Sequence, residues 1–395
     1  MHFIGIDIAS ETHVVAIIDE QGNTTLKPTP FSEDAVGYQK LLEALPPSAD
    51  TLVAMEATGH YWQNLFARLA SEGYQVALLN PLRTHNFAAE DLRRAKTDAI
   101  DALSIARFAA QKRPPATRLP DEATRELREL VRLRDRLVQD FGDRTRQLHR
   151  LVDLGFPEFT RHVHHLDSEL ATTILAKYPT AAAFKGVAVE VLADLTYAGH
   201  HRVGEEVARA LTGAAAVSVG QHHTPAYQLQ VRYVCEDLDL LRKRVRTLEG
   251  DIENTLRHHE VGQLLTTIPG IGPQTAARIM AESNPTDFAD AAHLASYVGV
   301  VSGTSRSGKR QPLRAHLTPI GNARLRAALW MPTLSAVKHN PWLRRFYLGL
   351  LARGKPAKVA LVAAMRKLLA AVYSVAKHRR PFTPHLPVQE VKANT

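Results

Sequence analysis

The sequence predicts an α/β domain followed by an all-α one, and three observations predict it. The first 115 residues alternate short runs of Val, Ile and Leu with amphipathic stretches in the order βββαβαβ, the pattern of a mixed sheet flanked by helices. Beyond Pro114-Pro115, apolar residues recur every three or four positions through two long stretches, 122–154 and 226–257, which only helices explain. The charge is also segregated. From Ser302 to Gln389 there are 17 Lys and Arg and no Asp or Glu, a local charge of +17 against +9 for the whole chain. The remainder is therefore net acidic, and the basic tract has the electrostatic character of a polyanion-binding face. At 395 residues the chain can form two or three domains, each with its own core.

Taken in order, Phe3 to Ile8 reads as a short buried strand and His13 to Ile18 as a second. Glu20-Gln21-Gly22-Asn23 supplies the turn after it, because Gly and Asn tolerate positive φ, and a third strand at about 24–28 completes an antiparallel meander. A helix at 33–45, a strand at 51–56, a helix at 61–72 and a strand at 74–79 follow, then helices at about 85–94 and 98–111. Asp7 inside the first apolar run argues against a signal peptide, and no apolar run approaches the roughly 18 residues of a membrane span. Cys235, the single cysteine, excludes an internal disulfide and a multi-cysteine zinc site. A cytoplasmic protein with no membrane partner is expected.

The two long stretches carry heptad-like series, Leu127, Val131, Val138, Phe141, Leu148 and Val152 in one, and Val234, Leu238, Leu241, Val245, Leu248 and Ile252 in the other. Such helices pair with each other inside one chain or zip to a second subunit, and the pattern does not choose. Between them, 156–225 reads as short helices broken by Pro and Gly, and its histidines lack the spacing of a helical metal site. Residues 261–282 give helix, Pro269-Gly270-Ile271-Gly272 turn, helix. This is a helix-hairpin-helix pattern, in which Gly270 and Gly272 let backbone N–H groups approach a DNA phosphate. Helices at about 319–338, 341–353 and 356–377 follow, with a loose tail over 381–395.

Two groups of residues carry chemistry. Asp7 interrupts a buried strand, Glu56 ends another, and Asp98 and Asp101 stand three apart on one helical face. Four converging carboxylates suit Mg²⁺, or Mn²⁺, beside a phosphate substrate. The second group is Val301 to Arg310, where Ser302, Ser305 and Ser307 lie among Gly303, Gly308, Arg306, Lys309 and Arg310. A serine so placed either binds phosphate or attacks it. Arg324, Arg326, Arg344 and Arg345 extend the basic tract and are candidate phosphate contacts, as are Arg306, Lys309 and Arg310. A junction nuclease would use the same acids with water as nucleophile. An actin-like ATPase would need a second phosphate loop, which is not found, and no Gly-x4-Gly-Lys-Ser/Thr loop occurs either.

Gly5-Ile6-Asp7, Met55-Glu56-Ala57-Thr58-Gly59, Asn80-Pro81, Lys96-Thr97-Asp98-Ala99-Ile100-Asp101-Ala102, Ile268-Pro269-Gly270-Ile271-Gly272, Ser307-Gly308-Lys309, Gly321-Asn322 and Leu325-Arg326 occur in this order. Together they resemble the DEDD transposases of the bacterial insertion sequences numbered one hundred and ten, which are related to pilin-gene invertases. The resemblance implies a RuvC-like, ribonuclease-H-type domain over 1–115 with Asp7, Glu56, Asp98 and Asp101 as Mg²⁺ ligands. It implies a coiled-coil region over 116–260, with the helical insert at about 156–225. It also implies a transposase domain over 261–380 in which Ser307 attacks DNA and becomes covalently attached. Double-stranded DNA, a structured bridge RNA as guide, and a homo-oligomer (dimer or tetramer) are the partners it implies.

Overall fold

The computed structural model describes residues 1–90, 97–118, 120–303, 316–317 and 320–384. Contacts divide the chain into two compact units, Met1–Pro120 and Asp121–Thr395.

The first unit is mixed α/β. Its strands are β1 (His2–Asp7), β2 (Thr12–Ile18), β3 (Thr24–Ser32), β4 (Thr51–Glu56) and β5 (Gln75–Leu79), in the spatial order β3-β2-β1-β4-β5. The first three form the expected antiparallel meander, while β4 and β5 add in parallel on the other side. Helices α1 (Ala35–Ala44), α2 (Trp62–Ser71), α3 (Pro81–Glu90) and α4 (Asp98–Lys112) complete it. The β3 strand runs on past Pro28 and Pro30 to Ser32, further than its sequence predicts. An edge strand tolerates proline because one row of its N–H groups has no ladder partner to lose. Alternation along each strand fills two cores. Ile4, Ile6, Val53, Met55 and Val76 pack with α1 and α2, and Phe3, Leu52, Ala54, Ala77 and Leu79 pack with Ile105, Ala106 and Ala109 of α4.

The second unit is almost entirely helical. Two long helices, α5 (Glu122–Gly155) and α10 (Pro225–Arg257), bracket α6 (Phe159–His162), α7 (Glu169–Lys177), α8 (Val189–Ala193), a short hairpin of β6 (Thr196–Tyr197) and β7 (His201–Arg202), and α9 (Glu205–Ala216). The long helices pair with each other, antiparallel. Leu127 and Val131 share a core with Ile252 and Leu256, whereas Leu148 and Val152 share one with Val231 and Leu238. Arg134 to Glu249 and Arg144 to Asp237 tie their flanks. The heptad series therefore serves a hairpin within the chain.

Then come α11 (Glu260–Leu265), α12 (Pro273–Glu282), α13 (Ala291–Val298), the paired strands β8 (Ser302–Gly303) and β9 (His316–Leu317), α14 (Ala323–Ala328), α15 (Trp330–His339), α16 (Pro341–Ala352) and α17 (Ala357–His378). The single helix expected over 319–338 is two, α14 and α15, and Asn322 caps the first by accepting from Leu325 N at 3.0 Å. By length and composition α17 could cross a membrane, where the sequence reading expects no such stretch. Its Ala360, Leu361, Ala364, Leu368, Val372 and Val375 are buried in the core of this unit.

Candidate functional site

Asp7 and Glu56 end adjacent parallel strands, whose register pairs Gly5 with Ala54 and Ile6 with Met55. By alternation both share the face that α4 covers. Gly5 sets how closely α4 lies there. A Cβ on Gly5 would stand 2.1 Å from Ala102 O and 2.3 Å from Ala106 N. At the helix's other end the Arg113 guanidinium sits 5.8 Å from the centre of the Phe3 ring, so α4 runs antiparallel to β1. Its first turn thus lies toward the end of the sheet where Asp7 and Glu56 emerge. Asp98 and Asp101 continue, toward the start of the helix, the stripe that buries Ala102, Ile105 and Ala109. Thr97 caps the helix, accepting from Ile100 N at 3.3 Å.

Asp7 and Glu56 therefore stand at one end of the sheet, and Asp98 and Asp101 on the first turn of the helix packed against it. Among the described residues, however, no three His, Cys, Asp or Glu side chains are close enough together to hold a metal ion. The donor set, all carboxylate oxygen on rigid elements, has the chemistry a hard divalent cation takes. Glu56 is held by two hydroxyls. Thr84 Oγ1 donates to Glu56 Oε2 at 2.9 Å and Thr58 Oγ1 to Oε1 at 3.3 Å. Sequence reasoning missed Thr84, which is buried on α3 next to the Asn80-Pro81 pair that starts that helix.

In the second unit, Ser305, Arg306, Ser307, Lys309 and Arg310 lie outside the described residues, as does the side chain of Ser302. The turn after α11 contains Gly270 at φ +102°, where a Cβ would stand 2.4 Å from Ala336 Cβ. Gly270 thus admits α15. Gly272, the N-cap of α12, faces open space. Arg344 and Arg345 are exposed on α16 and form no ion pair with the described residues, and Arg324 is also exposed. Arg326, expected from the sequence as a phosphate contact, spends one guanidinium nitrogen on the backbone. Its Nη1 donates to Val298 O at 3.0 Å and to Ile320 O at 3.4 Å.

Behind these carbonyls lies a polar cluster with no signal in the sequence, since Glu282 bonds partners 150 residues before it and 40 after it. Glu282 closes α12 almost fully buried. Arg132 Nε donates to its Oε1 at 3.2 Å, and Asn322 Nδ2 to its Oε2 at 3.3 Å. Burial alone would raise its pKa, but the bonds from Arg132 and Asn322 outweigh burial and hold it below the usual glutamate value. Arg128, deep beside Arg132, donates to Ala281 O at 2.6 Å, and burial lowers its pKa.

Two family profiles match the chain. One, described as the DEDD transposase of IS110, covers residues 4–157, and the second, the transposase IS116/IS110/IS902 family, covers 262–348. A 44.8 kDa protein of insertion element IS116 from Streptomyces clavuligerus is 26% identical over 397 residues, covering 98% of both chains. The pilin gene-inverting protein of Moraxella bovis is 26% identical over 387 residues, covering 96% of this chain and 97% of its own. A 43.6 kDa protein of insertion element IS110 from Streptomyces coelicolor is 26% identical over 401 residues, covering 98% and 96%. The two family profiles and these full-length relatives make the chain a member of the IS110 family of transposases, enzymes of DNA strand transfer.

Proposed function

We propose that this chain is the recombinase of an insertion element, cutting and rejoining double-stranded DNA through a covalent phosphoserine at Ser307, as an oligomer guided by a structured RNA. In this reading residues 1–115 are a RuvC-like domain, 116–260 a coiled-coil region, and 261–380 a transposase domain whose α11 and α12 form a helix-hairpin-helix. The observation that supports it is the packing of α4, which begins at Asp98, against the strand that ends at Asp7, where Gly5 lets its backbone in.

Asp7, Glu56, Asp98 and Asp101 would hold Mg²⁺ or Mn²⁺, which when bound neutralises charge on phosphate oxygens. Thr84 fixes the Glu56 carboxylate, so that its orientation is set before substrate arrives. Ser307 Oγ forms a P–O bond as a bridging P–O bond of the strand breaks. The hydroxyl proton passes to a base, and the departing sugar oxygen takes up a proton. Attack by another strand's hydroxyl reverses the step and frees the serine, so the phosphodiester energy is kept and no ATP is consumed. The Moraxella relative's name, a gene-inverting protein, supports this chemistry, because inversion rejoins every end it cuts.

Denaturing gels test the mechanism. Cleaved DNA should carry protein that survives denaturation and maps to Ser307, and Ser307→Ala should lose both adduct and rejoining, whereas Ser302→Ala and Ser305→Ala retain activity. A Ser307→Ala protein that still releases unattached broken strands would make the chain a junction nuclease using water.

A further inference from the structure

We propose that Arg326, backed by Asn322 and Glu282, is a positioning residue for the segment that carries Ser307 and not a contact to nucleic acid; this rests on the reading of Ser307 as nucleophile. The segment leaves the helical body through Gly299 and returns through Ile320 and Gly321. These two roots touch in a way only glycine permits. At Gly299 (φ +80°) a Cβ would stand 2.4 Å from Ile320 O and 2.2 Å from Arg326 Nη1, and at Gly321 (φ +113°) it would stand 2.7 Å from Gly299 N.

One guanidinium nitrogen spans both roots, since Arg326 Nη1 donates to Val298 O on the outgoing side and Ile320 O on the returning side. Asn322 repeats the tie one residue on. Its N donates to Tyr297 O at 2.7 Å, and its Nδ2 reaches Glu282 Oε2, the carboxylate that Arg132 of α5 holds from behind. Beyond the roots the ladder continues, Ser302 opposite Leu317 and Gly303 opposite His316. The start of the serine segment is thus fixed in register from α5, α12, α13 and α14. A nucleophile must be held within about an ångström of line with its phosphate, and losing that costs roughly a hundredfold in rate. Substrate affinity, set by cations elsewhere on the basic tract, would be untouched.

The roles separate in Arg326→Lys, which keeps the charge but loses the planar donor group. Purified full-length protein is mixed with transcript made from the DNA flanking this gene and with a plasmid carrying that DNA, and strand breakage is followed at saturating protein. Arg326→Lys should cleave about tenfold or more slower, with plasmid affinity, salt dependence and melting temperature close to wild type, and Asn322→Ala should be slowed likewise at unchanged plasmid affinity, its melting temperature lowered by loss of the α14 cap. Added guanidinium should restore part of the rate to Arg326→Ala. Should Arg326→Ala not fold, the Lys variant still decides. Cleavage by Arg326→Lys at the wild-type rate overturns the proposal, as does a weakened, less salt-dependent plasmid affinity. Ser307→Ala is run alongside. If it cleaves, both readings fall; if it is inert while Arg326→Lys is unslowed, only this one does.

Discussion

Gly5 decides how closely α4 packs on the sheet, because the backbone of that helix occupies the space of its missing side chain. Gly5→Ala would press a methyl onto Ala102 O and Ala106 N, both main-chain atoms that cannot swing away. Overpacking of this kind costs about 1–3 kcal/mol or more. The urea midpoint should fall accordingly, and strand cleavage should be lost in the fraction still folded, since Asp98 and Asp101 move with α4. Gly22, with nothing within 4 Å, is the control, its Ala variant losing only what φ +86° costs. An unchanged midpoint for Gly5→Ala would show that α4 does not need this approach. Glu282 makes the second prediction at this scale. Its folded pKa is depressed, so its contribution to stability is present above the unfolded value of 4.5 and is lost as pH falls through the folded value. Glu282→Gln should therefore be less stable than wild type at neutral pH, and the gap should narrow as the pH drops below about 4.5. A gap constant from pH 7 to pH 3 would mean the carboxylate gains nothing from Arg132.

Between elements, the α5–α10 pair is where the structure chooses between two arrangements that the pattern left open. Leu238 is fully buried between α10 and the insert helices, and Leu241 and Leu248 are only 8% and 9% exposed in the single chain. Leu238→Ala should cost about 2–5 kcal/mol with no change of oligomeric mass. Light scattering beside a denaturation curve checks this, and a drop in mass at full stability would move the contact to a second subunit. The strands and helices of the first unit were legible from alternation and turn residues, because each depends on neighbours a few positions away. Pro28 and Pro30 hid the outer half of β3, since edge position is a property of the sheet and not of the strand. The break between α14 and α15 falls just before Pro332, which donates no N–H to the preceding turn and so sits in the first turn of a new helix. Glu56 was legible as an acid at a strand end, and Asp7 as an acid inside an apolar run, whose strand in fact ends there. Thr84, Glu282 and Asn322 were not, because a hydroxyl or carboxylamide gains its role only from a partner the fold brings to it.

At the scale of the whole molecule, the +17 tract from Ser302 to Gln389 is not one uniform surface. The fold gives several of its cations internal work. Lys367 lies 4.3 Å from the centre of Phe346 and 4.7 Å from that of Trp342, and burial lowers its pKa. Arg379 pairs with Glu260 at 3.0 Å, and Arg326 holds carbonyls. Arg344 and Arg345, exposed on α16, have no such partner among the described residues, which makes them the cations to test against a phosphate backbone. Each phosphate neutralised on duplex DNA releases counterion and adds about 0.9 to the slope of log affinity against log salt. Arg344→Ala with Arg345→Ala should therefore flatten that slope by between about one and two units on a duplex of arbitrary sequence, with the melting temperature unmoved. Arg379→Ala should leave the slope alone, because its charge is already answered by Glu260. If the two exposed arginines change nothing and Arg379 changes the slope, the DNA lies along the end of α17 and not along α16.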